Sequence, residues 1–169
     1  MPGTNADGRD GWLGDPRSPR VVNAFAIEFV VGYMARAAAL FDHDYDCAMI
    51  FLALLQASGR QAFRDPLFRA KYSELGSSLP VELSTPVSRQ AVARTVGLSR
   101  ETVRRKVAKL IAQGFLTEDA RGGVILTRGV TSNPAFIQGQ KEGVDLVRRF
   151  LADLSAFAKP LGSAEQSDD

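Results

Sequence analysis

Apolar residues recur along this chain mainly at helical spacing. From Val21 onward, Val22, Phe25, Phe29, Tyr33, Ala37 and Leu40 fall three or four residues apart, the stripe of a long α-helix. The opposite side, with Ala24, Ile27, Val31 and Ala38, is also apolar, which predicts burial on two sides. A second helical run, Ala48 to Leu55, ends near Ser58-Gly59, and Pro66 to Leu75 is a short helix candidate inside a connector that spans Arg60 to Ser84. Pro86 to Gly129 is densely patterned. Ser132-Asn133-Pro134 then starts a last helix, with an Asn cap and Pro at the first helical position. Val144, Val147, Leu151, Leu154 and Ala158 keep its apolar spacing until Lys159-Pro160-Leu161-Gly162 stops it.

Within the dense unit, Ser88 to Leu110 has the layout of a helix-turn-helix. Two helices crossing steeply need a small residue where they touch, and Ala93 stands there. Gly97, four residues on, supplies the left-handed conformation of the tight turn. Val92, Val96, Leu98, Val103 and Val107 form the shared apolar core. Ser99 is an N-cap, leaving Arg100, Glu101 and Thr102 in the first turn of a recognition helix, 99–113, of the kind that enters a major groove. Gly114 closes this helix. Phe115 to Thr117 and Val124 to Thr127 read as two strands around Arg121-Gly122-Gly123, a wing with Arg121 at its tip, placed for a phosphate or the minor groove. The predicted fold is mainly α with a small β-hairpin wing, a winged helix-turn-helix flanked by N- and C-terminal dimerisation helices.

Charge supports a polyanion partner. The chain has 169 residues and a net charge of only +2. Residues 86–129 hold nine basic and three acidic residues, a balance of +6, so the remainder carries −4. A basic unit in an otherwise acidic chain suits association by phosphate neutralisation. The single cysteine, Cys47, excludes an intramolecular disulfide and fits a reducing, cytoplasmic setting. MPGTNADGRDGW lacks the basic-then-apolar order of a secretory signal, and Glu28 and Arg36 interrupt the most apolar window, Val21 to Phe41, so no membrane partner is expected. The cluster Asp42-His43-Asp44-Tyr45-Asp46 fails as a calcium loop, because Cys47 and Ala53 stand where Gly and Glu are required. Capping of the following helix is the simpler reading.

From Val87 to Thr127 the sequence resembles the DNA-binding domain of the Crp-Fnr transcription regulators. The family's Ser-Arg-Glu-Thr-Val-x-Arg pattern stands here as Ser99-Arg100-Glu101-Thr102-Val103-Arg104-Arg105, and the Arg89-Gln90 pair and the Gly-Leu-Ser turn match too. The resemblance implies that Arg100, Glu101 and Arg105 contact base edges, and that Gln90, Ser99 and Thr102 lie near phosphates. Arg104, Lys109 and Arg121 join the expected phosphate contacts. Two arginines and a carboxylate in those places predict a pseudo-palindromic site with G·C-containing half-sites. Position 106, usually apolar in the family, is Lys106 here. The roughly 85 residues upstream lack the family's β-roll sensor and its phosphate cassette, so cyclic nucleotide binding is not implied. The flanking helices are similar in arrangement to those of MarR-type regulators.

These readings divide the chain into an arm expected to be disordered (1–20), a helical dimerisation and connector region (21–84), the DNA-binding unit (85–129), a C-terminal helix (130–160) and a tail expected to be disordered (161–169). The leading expectation is a bacterial-type, homodimeric regulator reading duplex DNA. The alternative is a winged helix used as a protein-interaction module of a larger assembly. Phe25, Phe29, Tyr33, Phe41, Tyr45, Phe51, Phe63, Phe68 and Tyr72 offer either a small apolar effector pocket or plain core. One histidine, one cysteine, no Walker-type loop and no Gly-x-Ser-x-Gly elbow argue against an enzyme, so no catalytic residue, metal or cofactor is expected.

Overall fold

A computed structural model describes residues 18–59, 64, 66–75 and 85–157. They form α1 (Ser18–Ala39), α2 (Tyr45–Gly59), α3 (Pro66–Tyr72), α4 (Arg89–Val96), α5 (Arg100–Ala112), β1 (Leu116–Glu118), β2 (Val124–Leu126), a 3₁₀ turn (Val130–Ser132) and α6 (Pro134–Phe157). α1 starts inside the expected arm, with Pro19 in its first turn, where a fixed φ and a missing N–H cost nothing. Residues 1–17 of that arm, Phe63, most of the connector, the helix-stop signal and the tail lie outside the described residues.

The chain divides into two compact units, one of Met34–Gly143 and one that joins the chain up to Tyr33 with the chain from Val144. α2 is the centre of the larger unit and packs on α4, α5 and β2. That compact unit is therefore wider than the 85–129 segment read from the sequence. Its core combines Phe41, Ile50, Phe51 and Leu54 with Val92, Val103, Val107, Leu110, Leu116 and Val124, all at most 2% exposed. Ring centroids of Phe41 and Phe115 are 4.9 Å apart, and Phe51 lies 5.9 Å from Phe115 and 5.7 Å from Phe136. These edge-on pairs suit the aromatic quadrupole.

Helix ends follow the local chemistry. Ser88 Oγ accepts the Ala91 N–H, Ser99 Oγ accepts the Thr102 N–H, and Asn133 Oδ1 accepts the Ala135 N–H. Gly97 sits at φ 71° and donates its N–H to the Ala93 carbonyl. Ala93 is 6% exposed in the helix-turn-helix core. After α5, the Phe115 N–H reaches Leu110 O and the Gly114 N–H reaches Ile111 O, with Gly114 at φ 80°. β1 and β2 are antiparallel, with Leu116 opposite Leu126 and Glu118 opposite Val124. Val87 adds a bridge to Val124 on the other edge of β2, which the sequence pattern did not predict.

In the smaller unit Phe29 stacks on Phe150 at 5.3 Å, and Phe25 meets Phe157 edge-on at 6.5 Å. Ile27, Val30 and Val31 on α1, and Val144, Val147 and Leu151 on α6, are exposed. Glu28 and Arg36 do not exclude a span as the sequence reading held. Despite these two charges and Arg20 near its start, Pro19–Ala39 is long and apolar enough to cross a membrane by length and composition.

A Cβ at Gly97 would meet nothing within 4 Å, so Gly97→Ala meets only the backbone cost of a left-handed residue, about 1–2 kcal/mol. We expect urea denaturation to show that loss; an unchanged midpoint would contradict the turn geometry.

Candidate nucleic-acid interface

α5 carries its chemistry on the side away from the core. Val103, Val107 and Leu110 are buried, and at about 100° per residue this turns Glu101, Arg104 and Arg105 outward, whereas Arg100 lies nearer the buried side and is exposed as the first residue of the helix. The Arg104 guanidinium donates to both Glu101 oxygens, at 2.8 and 2.7 Å. That bond, together with the positive charge of Arg104 and Arg105, holds the Glu101 carboxyl below its ordinary range. Among the described residues, Arg100 and Arg105 have no carboxylate at ion-pair distance. They are the cations that α5 presents unneutralised.

The residues expected at phosphates are divided among α4, α5 and the wing. Ser99 and Thr102 share a 2.9 Å hydroxyl contact at the α5 N-terminus, whose amide ends favour an anion. Gln90 is exposed on the first turn of α4. Arg121 is exposed in the β1–β2 turn, which Asp119 organises: its Oδ1 accepts the N–H groups of Arg121 at 3.0 Å and Gly123 at 2.6 Å. Arg89 ties this wing to α4, donating to the Gly122 carbonyl at 3.3 Å and pairing with Glu118. Gly123 must lack a side chain, since a Cβ there would lie 2.6 Å from Pro86 Cβ.

Lys109 stands on the flank of α5. Its ammonium is 3.0 Å from Asp44 Oδ2. Lys106 is 2.8 and 2.7 Å from the two Asp44 oxygens and 3.9 Å from Asp46. Asp44 also caps α2, accepting the Cys47 N–H at 3.2 Å. It follows Asp42 and His43, both left-handed at φ 53° and 61°, a conformation that Asp and His tolerate better than most residues. Burial opposes ionisation of Asp44, but Lys106, Lys109 and the Cys47 N–H overcome it and hold the carboxyl well below the usual range. Burial and the adjacent carboxylate push the Cys47 thiol up to about 11. The sequence reading missed this cluster, although a lysine at a customarily apolar position calls for an anion, and three aspartates stood unassigned beyond capping.

The described N-terminal aromatics differ in their surroundings. Phe41 and Phe51 are 1% exposed in the core, Tyr45 is 51% exposed, and Phe68 packs against Tyr72. The cleft lined by Phe25, Phe29, Leu146 and Phe150 is open and rimmed by Glu28, Arg149 and Asp153. Among the described residues no group of three or more potential metal ligands converges.

Two capped helices joined by a left-handed glycine, followed by a short hairpin, define a winged helix-turn-helix protein. Residues 51–128 match the family model of the Crp-like helix-turn-helix domain. The chain thus carries a DNA-binding domain of the Crp type, the kind that transcription regulators use. No match to a curated protein or to a solved structure accompanies it.

Asp44 has a depressed folded-state pKa, so its contribution to stability is full above the unfolded value near 3.9 and is lost as pH falls toward the folded one. We expect the urea midpoint of the wild type to exceed that of Asp44→Asn above about pH 5 and the gap to close on acidification. Parallel curves from pH 6 to 2 would contradict this.

Proposed function

We propose that the protein is a sequence-specific transcription regulator that binds duplex DNA as a homodimer in the cytoplasm. The observation that carries this reading is the exposed surface of α5, where Arg100 in the first turn and Arg105 opposite the buried Val103, Val107 and Leu110 stand unneutralised. Arginine forks onto the O6 and N7 acceptors of guanine, and a carboxylate accepts from cytosine N4. Arg100, Glu101 and Arg105 read base edges in a major groove. Gln90, Ser99, Thr102, Arg104 and Arg121 hold the backbone, whereas Lys109 is engaged by Asp44.

One such helix makes few base contacts. Doubling it across a two-fold axis reads pseudo-palindromic, G·C-containing half-sites about 34–36 Å apart. The unpartnered Ile27, Val30, Val31, Val144, Val147 and Leu151 supply an apolar surface for the second copy. The reading requires no effector.

Fluorescence anisotropy across a salt series tests the function. We expect Arg100→Ala to lose about 1–3 kcal/mol, roughly 5- to 150-fold, on a preferred duplex while keeping most of its random-duplex affinity. Equal losses on both duplexes would remove Arg100 from the base readers. Absence of any salt-dependent duplex binding would favour the protein-interaction reading. Light scattering tests the dimer: we expect twice the chain mass for the wild type and a shift toward the monomer for Ile27→Glu/Val31→Glu, whereas a monomeric wild type would contradict it.

A further inference from the structure

We propose that Asp44 is a specificity-determining positioning residue, which withdraws Lys106 and Lys109 from the DNA and fixes the rotation of α5 about its axis. The inference rests on the DNA-binding reading above. Asp44 comes from the corner between α1 and α2, 62 residues before Lys106 and 65 before Lys109. Its side chain is 13% exposed and that of Lys106 18%, so this contact is shielded from solvent as few surface pairs are.

Both carboxylate oxygens are occupied. Oδ1 takes Lys106 and the Cys47 N–H, and Oδ2 takes Lys106 and Lys109. The carboxylate cannot swing away without uncapping α2, and its backbone is held by the His43 N–H to Ala38 O and the Asp44 N–H to Phe41 O. Lys106 and Lys109 lie next to each other on the helix surface, on the flank between the buried stripe and Arg105. Pinning them there fixes the direction in which Arg100, Glu101 and Arg105 point.

The second consequence is electrostatic. α5 carries five basic residues, Arg100, Arg104, Arg105, Lys106 and Lys109. Ammonium groups attract phosphate whatever the sequence, and this term supplies most non-specific affinity. With both lysines held by Asp44, the cations that α5 leaves for DNA are Arg100 and Arg105, assigned to bases, and Arg104, assigned to the backbone. Asp44 thereby lowers affinity for arbitrary DNA more than for the preferred site. A lysine at position 106 makes sense only with that carboxylate.

The test compares salt slopes and the preference ratio for the full chain on two probes, a duplex enriched from a random pool and a random-sequence duplex. Asn at 44 keeps the capping acceptor but loses the charge. We expect Asp44→Asn to bind the random duplex several-fold more tightly, to steepen its slope by about 0.9 for each lysine that gains a phosphate, and to lower the preference ratio. Adding Lys106→Met and Lys109→Met should return the slope to the wild-type value, an outcome that a purely structural role would not produce. Lys109→Met alone should leave the slope unchanged.

An unchanged slope and ratio in Asp44→Asn would overturn the proposal while leaving the DNA-binding reading intact. A slope reduced by about 0.9 in Lys109→Met would do the same, because Lys109 would then be a phosphate contact. A wild type without salt-dependent duplex binding would overturn both. Should Asp44→Asn fail to fold by circular dichroism, Lys109→Met decides the matter in the soluble wild-type background.

Discussion

The structure depends on the burial of one stripe of α5, Val103, Val107 and Leu110, against α2 and the hairpin. These side chains are fully buried, and truncating a buried leucine such as Leu110 to alanine typically costs about 2–5 kcal/mol. The stripe does more than stabilise. A helix has one buried side, so fixing Val103, Val107 and Leu110 inward fixes Glu101, Arg104 and Arg105 outward, and that outward face is a by-product of the core. The phenylalanines on the other side, Phe41, Phe51, Phe115 and Phe136, give that stripe a rigid wall.

Apolar packing sets which side of a helix is hidden but tolerates small rotations. Polar contacts remove that freedom here. Ser99 fixes where α5 begins, Gly97 fixes its angle to α4, Arg89 and Asp119 fix the wing, and Asp44 holds the flank at Lys106 and Lys109. Each is short in reach and directional. Most sit at element ends, where backbone groups lack helical partners.

Those features were legible in the sequence to the extent that they are local. The Gly97 turn, the Ser99 and Asn133 caps, the hairpin and the two interior helices follow from residues within four positions of one another. Capping by Asp44 was legible too, through the Cys47 N–H three residues on. Its other partners are 62 and 65 residues away, and no periodicity records such a pairing. The Val87 bridge to Val124 was hidden for the same reason. Composition around α1 gave apolar character on every side but not its use: Phe25 and Phe29 go to α6, whereas Ile27, Val30 and Val31 remain exposed. The aromatic-rich segment favours core over pocket from its pattern, and Phe41 and Phe51 lie in the interior.

The proposed regulator depends on base reading by the exposed face of α5. Its most direct test is in vitro selection of duplexes from a random pool by the purified full chain. We expect enrichment of an inverted repeat whose G·C-containing half-sites are centred about one helical turn apart. Recovery of a pool without a common motif, at a salt concentration where binding persists, would contradict it.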